Sequence, residues 1–210
     1  MAASYFPLRT INEVVKLFAY QCDQEEPDLV LLSIVAGSIE HAMTKVSEVN
    51  LANNLEDQES KSDDPPDLTN ANLRIEPPIE WHLVEALQEK FDSLIKGYCD
   101  PAILERSLKA DATSLEIRKV IKHVADIIWN TLTKGQYKDR PHIQSIYSYL
   151  TGNKLDCFGV AFAVVAACQM LQVPGVHLAL SEDHACKSSQ DKISSSGFVV
   201  ISCFRGCVRG

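Results

Sequence analysis

Cys157 opens an apolar stretch, and His184 follows it beyond a turn and a β-prone segment. A thiol in the first turn of a buried helix meets the positive end of the helix dipole and free N–H groups, both of which stabilise a thiolate. A strand returning after that helix can set a histidine beside it, and the chemistry of such a pair is acyl transfer or hydrolysis through a covalent intermediate. A third group, an Asp or Asn that orients the imidazole, has only Asp191 as a candidate beyond Ala185, in a polar stretch. The same two residues also fit a packing role, Cys157 as a small apolar residue at a helix start and His184 as a strand-end histidine. We adopt the packing reading, with no catalytic residue and no enzyme activity, and keep Cys157 and His184 as the alternative catalytic pair.

The order Cys157-Phe158-Gly159, a helix ending in Gln169-Met-Leu-Gln-Val-Pro174, a strand, and then His184-Ala185 resembles the core of the transglutaminase-like superfamily. Other chemistry is poorly supported. Cys203 and Cys207 have no second Cys or His pair at zinc spacing, and Cys22 and Cys99 lie far apart on separate expected helices. No GxxxxGK[ST] or GxGxxG occurs to cradle a phosphate, so neither metal nor cofactor is expected. Lys138-Asp139-Arg140 reads as an N-cap between solvated charges.

The elements that must position Cys157 are helical. Thr10-Ile-Asn-Glu13 has the capping-box pattern, followed by Val14, Val15 and Phe18 at helical spacing. Pro27 and Asp28 suit the first turn of a second helix, apolar on nearly every side over 29–39. A third is expected over about 80–98, with Leu83, Leu87, Phe91 and Leu94 on its buried face. Thr113-Ser-Leu-Glu116 repeats the capping box, and Ile117, Val120, Ile121, Val124, Ile127, Ile128 and Leu132 form a stripe that Gly135 stops. Asp139 and Pro141 start a short helix ending at Gly152. Residues 159–171, apolar and rich in Ala, form a buried helix, and Val173-Pro174-Gly175 turns the chain into a strand over 176–180. The β-prone segment 197–203 follows a Ser-rich stretch.

The chain has 210 residues, 46% hydrophobic and 23% charged, as a globular body requires. Its longest apolar run, 159–168, is far short of the roughly 18 residues of a membrane span, and no secretory signal is expected at the start. Seven cysteines at irregular spacing make no disulfide framework, so reduced thiols inside the cell are expected. The net charge of −8 opposes unspecific binding to a phosphate backbone, so DNA is expected only as an indirect partner. Most of that charge sits in 53–80, where eight acids face only Lys61 and Arg74. With Pro65, Pro66, Pro77 and Pro78 and few large apolar residues, this stretch reads as a mobile insertion.

Seven blocks carry a more specific resemblance. They are Tyr5-Phe-Pro-Leu-Arg-Thr-Ile-Asn-Glu-Val-Val-Lys-Leu-Phe18, Glu25-Glu-Pro-Asp-Leu-Val-Leu-Leu-Ser33, Asp126-Ile-Ile-Trp-Asn-Thr-Leu132 and Tyr137-Lys-Asp-Arg-Pro-His-Ile-Gln-Ser145, then Thr151-Gly-Asn-Lys-Leu-Asp156, Gly159-Val-Ala-Phe-Ala-Val-Val165 and Val176-His-Leu-Ala-Leu-Ser-Glu-Asp-His-Ala185. Together they resemble the menin family from about residue 5 to 185. That resemblance implies a nuclear scaffold, without enzymatic activity, joining mixed-lineage-leukaemia-type histone methyltransferases to chromatin and also binding JunD and LEDGF. It implies a helical N-terminal part, a transglutaminase-like thumb, a helical palm and fingers, with a peptide-binding cavity between thumb and palm. On the thumb side the family pattern falls on Asp139, Leu180, Ser181, Asp183, His184 and Ala185. Phe158 and Cys157 stand where the family more often has Ser.

The expected fold is therefore α+β and predominantly α-helical, a helical N-terminal region plus a partial transglutaminase-like domain. Its parts are an N-terminal helical region (1–52), the acidic insertion (53–80), the N-terminal region continued (81–110), the thumb (111–185) and a divergent tail (186–210). Because the family continues well beyond the thumb histidine, palm and fingers are expected to be missing here and peptide binding to be impaired, with 197–203 standing in for a thumb strand.

Overall fold

In the computed structural model the described residues are 2–54, 74–109, 112–133 and 143–178. The chain divides into two compact units, Met1–Ala86 and Leu87–Gly210. Among the described residues the fold is mostly helical with one two-stranded sheet, as the composition and periodicity predict.

In the first unit, strand β1 (Leu8–Thr10) leads directly into helix α1 (Ile11–Cys22). Both halves of the predicted capping box form at this junction: the Glu13 N–H donates to Thr10 Oγ1 at 3.3 Å, and Glu13 Oε2 accepts from the Thr10 N–H at 3.1 Å. Leu17, fully buried, and Val14 face the core. Buried Gln21 ties the next turn by accepting from the Asp28 N–H at 3.0 Å, while Asp28 Oδ1 accepts from the Leu31 N–H at 2.9 Å. Asp28 thus caps helix α2 (Leu29–Asn54) from outside, and Pro27 lies before the helix, not in its first turn.

Helix α2 is longer than the apolar stretch 29–39 predicts. Past Ile39, Thr44 turns its hydroxyl onto the Glu40 carbonyl of its own helix, as Ser38 does onto Ile34, so these polar side chains do not break the helix. Strand β2 (Arg74–Ile79) pairs antiparallel with β1, Leu8 opposite Ile79 and Thr10 opposite Arg74. This corrects the reading of 53–80 as one mobile insertion. Its start belongs to α2 and its end to the sheet, where Ile75 and Ile79 are buried against the same core as Leu8; 55–73 lie outside the described residues.

Helix α3 (Trp81–Tyr98) carries the boundary between the units. Its buried side chains are Val84, Phe91 and Ile95: of the expected face Phe91 is buried, but Leu83 is 53% exposed, and Leu87 and Leu94 are only half-buried. The sequence 83–95 offers two overlapping apolar stripes, and the one that finds partners is buried.

In the second unit, Asp100 caps and Pro101 begins a short helix α4 (Pro101–Ser107) that periodicity did not predict; an Asp-Pro pair is the signal that could have found it. Helix α5 (Ser114–Thr131) starts at the second predicted capping box, with Thr113 and Glu116 bonded reciprocally. Its stripe is buried at Val120, Ile121, Val124, Ile127 and Ile128. The helix stops at Thr131, before Gly135, which lies outside the described residues. Ser145, not Asp139, caps helix α6 (Ile146–Gly152), and Asn153, at φ 51°, ends it in the left-handed conformation. Helix α7 (Cys157–Met170) packs on α5, as α4 does. Beyond it, Val173-Pro174-Gly175 turns as expected, but the strand over 176–180 is not formed among the described residues, where Val176 makes only an isolated bridge.

Both capping boxes make stability acid-sensitive. The Glu13 carboxyl is held below its ordinary 4.5 chiefly by the Arg9 N–H, and Glu116 chiefly by the Thr113 N–H. A carboxylate whose folded value is depressed adds stability that is present above its unfolded value and is lost as pH falls through the folded one. Glu13→Gln with Glu116→Gln keeps the caps but removes the titration. The double variant is therefore expected to lose less of its urea midpoint than the parent between neutral pH and about pH 3; an equal loss in both proteins refutes this role.

Candidate functional site

The sequence points to the start of α7, and the structure shows how that start is held. Asp156 is the N-cap: Oδ1 accepts from the Gly159 N–H at 2.7 Å, and Oδ2 accepts from Gln144 Nε2 at 2.9 Å. The Asp156 N–H donates to the Ile143 carbonyl at 3.0 Å. One carboxylate thus joins the helix start to the segment entering α6. Gln144 was not among the predicted residues; the Asp156-x-x-Gly159 spacing before an apolar run signals the cap, but nothing local signals its remote partner.

The approach is close. A Cβ on Gly159 would lie 2.8 Å from Leu155 Cδ2 and 3.0 Å from both the Cα and the carbonyl oxygen of Gln144. Glycine lets these backbones meet, and with them the cap can form.

Cys157, the first residue of α7, and Phe158 are half-buried; Phe158 stacks on Phe162, one turn on, at 6.3 Å between ring centres. Beyond them the helix is closed, with Ala163, Val164, Ala166, Ala167 and Cys168 fully buried. Desolvation pushes the Cys168 thiol up to about 12, and the Cys99 thiol is raised, first by burial and then by Asp100. Neither is a nucleophile at neutral pH.

Near Cys157 one of the features that could activate a thiol is already in use. The Gly159 N–H is taken by Asp156, and the favourable end of the helix dipole faces that carboxylate. The N-cap aspartate takes the third amide of the helix, and the Val160 N–H donates to the Asp156 carbonyl at 3.0 Å. His184, Asp139, Leu180, Ser181, Asp183 and Ala185, named from the sequence as partner or peptide-binding residues, lie outside the described residues. Among the described residues no three His, Cys, Asp or Glu side chains group as metal ligands.

The family described as Menin matches residues 1–194 of this chain. The chain is also similar to the crystal structure of menin that reveals the binding site for Mixed Lineage Leukemia (MLL) protein. Sequence identity is 39% and the TM-score 0.57, covering 85% of this chain and 32% of that one. This chain thus spans about a third of the length of that relative.

Proposed function

We propose, from the premise that this chain belongs to the menin family, that it acts as a nuclear scaffold joining a mixed-lineage-leukaemia-type histone methyltransferase to chromatin-bound factors. The observation that carries this reading is 39% identity, over 85% of the chain, to the menin whose structure reveals the binding site for MLL protein. JunD and LEDGF are the further partners we assign, with DNA reached only through them. The thumb side of the peptide cavity is assigned to Asp139, Leu180, Ser181, Asp183, His184 and Ala185, and 111–185 to a partial transglutaminase-like domain. Among the described residues, Asp156 and Gln144 fix the start of α7, where Cys157 and Phe158 stand.

Binding of the methyltransferase's Phe-Pro-containing peptide to these 210 residues is expected to shift the resonances of 180–185 at high micromolar peptide. Each Å² of apolar peptide surface that these residues cover contributes about 25 cal/mol. No shift at those residues even at millimolar peptide rules out the assigned wall.

The alternative is a cysteine acyl transferase or hydrolase, and the half-buried position of Cys157 at a helix start is what favours it. Serine is nearly isosteric but a far poorer nucleophile there. Cys157→Ser is expected to leave peptide and partner binding, and every cellular role, unchanged. Loss of a cellular role in the well-folded variant reassigns the protein to catalysis.

A further inference from the structure

His123, half-buried on α5, reaches the joint between α3 and α4 with a single ring nitrogen. Nε2 lies 3.1 Å from the carbonyl oxygen of Tyr98, the last residue of α3, and 3.3 Å from the backbone nitrogen of Asp100, the cap of α4. One nitrogen cannot serve both. Unprotonated, Nε2 accepts from the Asp100 N–H and leaves the Tyr98 carbonyl without this donor; carrying a proton, it donates to that carbonyl and turns its hydrogen toward the Asp100 N–H.

We propose that His123 is a pH-operated clasp on the α3–α4 joint, holding the start of α4 when neutral and the end of α3 when charged. Imidazole is the side chain whose charge ordinarily changes within the physiological range. The Tyr98 carbonyl at the end of α3 is the acceptor the charged ring would donate to, and Asp100 is the carboxylate residue beside it. Asp100 Oδ1 already accepts from the Ala102 N–H at 2.9 Å, so the capping bond remains when the clasp changes sides.

Other titratable groups lie on the surrounding elements. Tyr98 and Cys99 come from the end of α3, Glu105 and Arg106 from α4, Cys168 from α7, and Lys119 and the exposed Lys122–Asp126 pair (2.7 Å) from α5 itself. Burial keeps both thiols neutral, leaving Asp100 as the charge adjoining the bonds that change. The structural consequence is an exchange: acidification removes an acceptor from the first amide of the α4 cap and adds a donor to the last carbonyl of α3.

Nitrogen-detected NMR of the whole chain from pH 8 to pH 5 tests this. The expected result is a neutral His123 protonated on Nδ1 at pH 8. The Asp100 amide proton should move upfield with the same midpoint as the His123 ring, and its exchange protection should fall severalfold on the acid side. In His123→Gln, which cannot titrate, the Asp100 shift should be flat. A neutral ring protonated on Nε2, or an Asp100 amide that does not follow the ring in the wild-type chain, overturns the proposal. The wild-type titration alone decides the matter if the variant does not fold.

Discussion

Replacing Phe91 by alanine is expected to destabilise the second unit by about 3–5 kcal/mol. Phe91 is fully buried and meets Tyr149, 1% exposed, edge to face at 6.3 Å and 83°. Truncation removes the transfer energy of a phenyl ring and leaves a cavity lined by Tyr149, whose hydroxyl is fixed by its bond to Thr131 Oγ1 and so cannot collapse freely into the space. Helix α6 loses the ring contact but keeps the Lys90 Nζ bond to the Leu150 carbonyl, at 2.6 Å, so the expected loss comes from packing and not from that cap. Urea unfolding followed through Trp129 on α5 reads it. Against a domain stability of about 5–15 kcal/mol, a loss of that size moves the midpoint far, while Leu83→Ala on the exposed side should stay within about 0.5 kcal/mol. A Phe91→Ala loss below about 1.5 kcal/mol is incompatible with the packing described.

Gly159→Val is expected to cost about 3 kcal/mol, the upper end of overpacking. Leu155 Cδ2 can swing aside, but the Gln144 Cα and carbonyl at 3.0 Å are backbone and must move as a segment. Moving them stretches the Gln144–Asp156 bond and frees the α7 start. Gly159→Ala separates two effects, because alanine gains about 1 kcal/mol of helix propensity over glycine while meeting the same atoms. A net loss of about 1 kcal/mol is expected, and a net gain would show that the close approach relaxes at no cost. The Cys157 thiol should become more reactive toward iodoacetamide in the valine variant, since the bond by which Asp156 takes the Gly159 N–H is disturbed.

What the sequence reveals depends on how local the interaction is. Both capping boxes span four residues and were readable letter by letter, as was α7, whose Ala and Val content leaves no polar side to misjudge. The pairing of β1 with β2 joins residues far apart, and the second strand contains Pro77 and Pro78 amid acidic residues, so its composition argues for a loop while Ile75 and Ile79 are buried. On α3, periodicity allows Leu83 or Val84 to lead the stripe, and only the partners of Phe91 and Ile95 decide. At the candidate site, Asp156 is legible as a cap but Gln144 is not. The residues assigned to the peptide wall rest on resemblance alone, because no short-range pattern distinguishes a wall residue from any other.

The continuous burial of residues 163–168 within α7 gives the chain an internal thermometer. Amides of residues 163–168 have no route to solvent through local fraying, so their hydrogens exchange only when the second unit opens as a whole. Their exchange rates therefore read the opening free energy of that unit directly. A ligand that binds its closed form must slow all of them by one common factor, set by its concentration and affinity, wherever on the unit it docks.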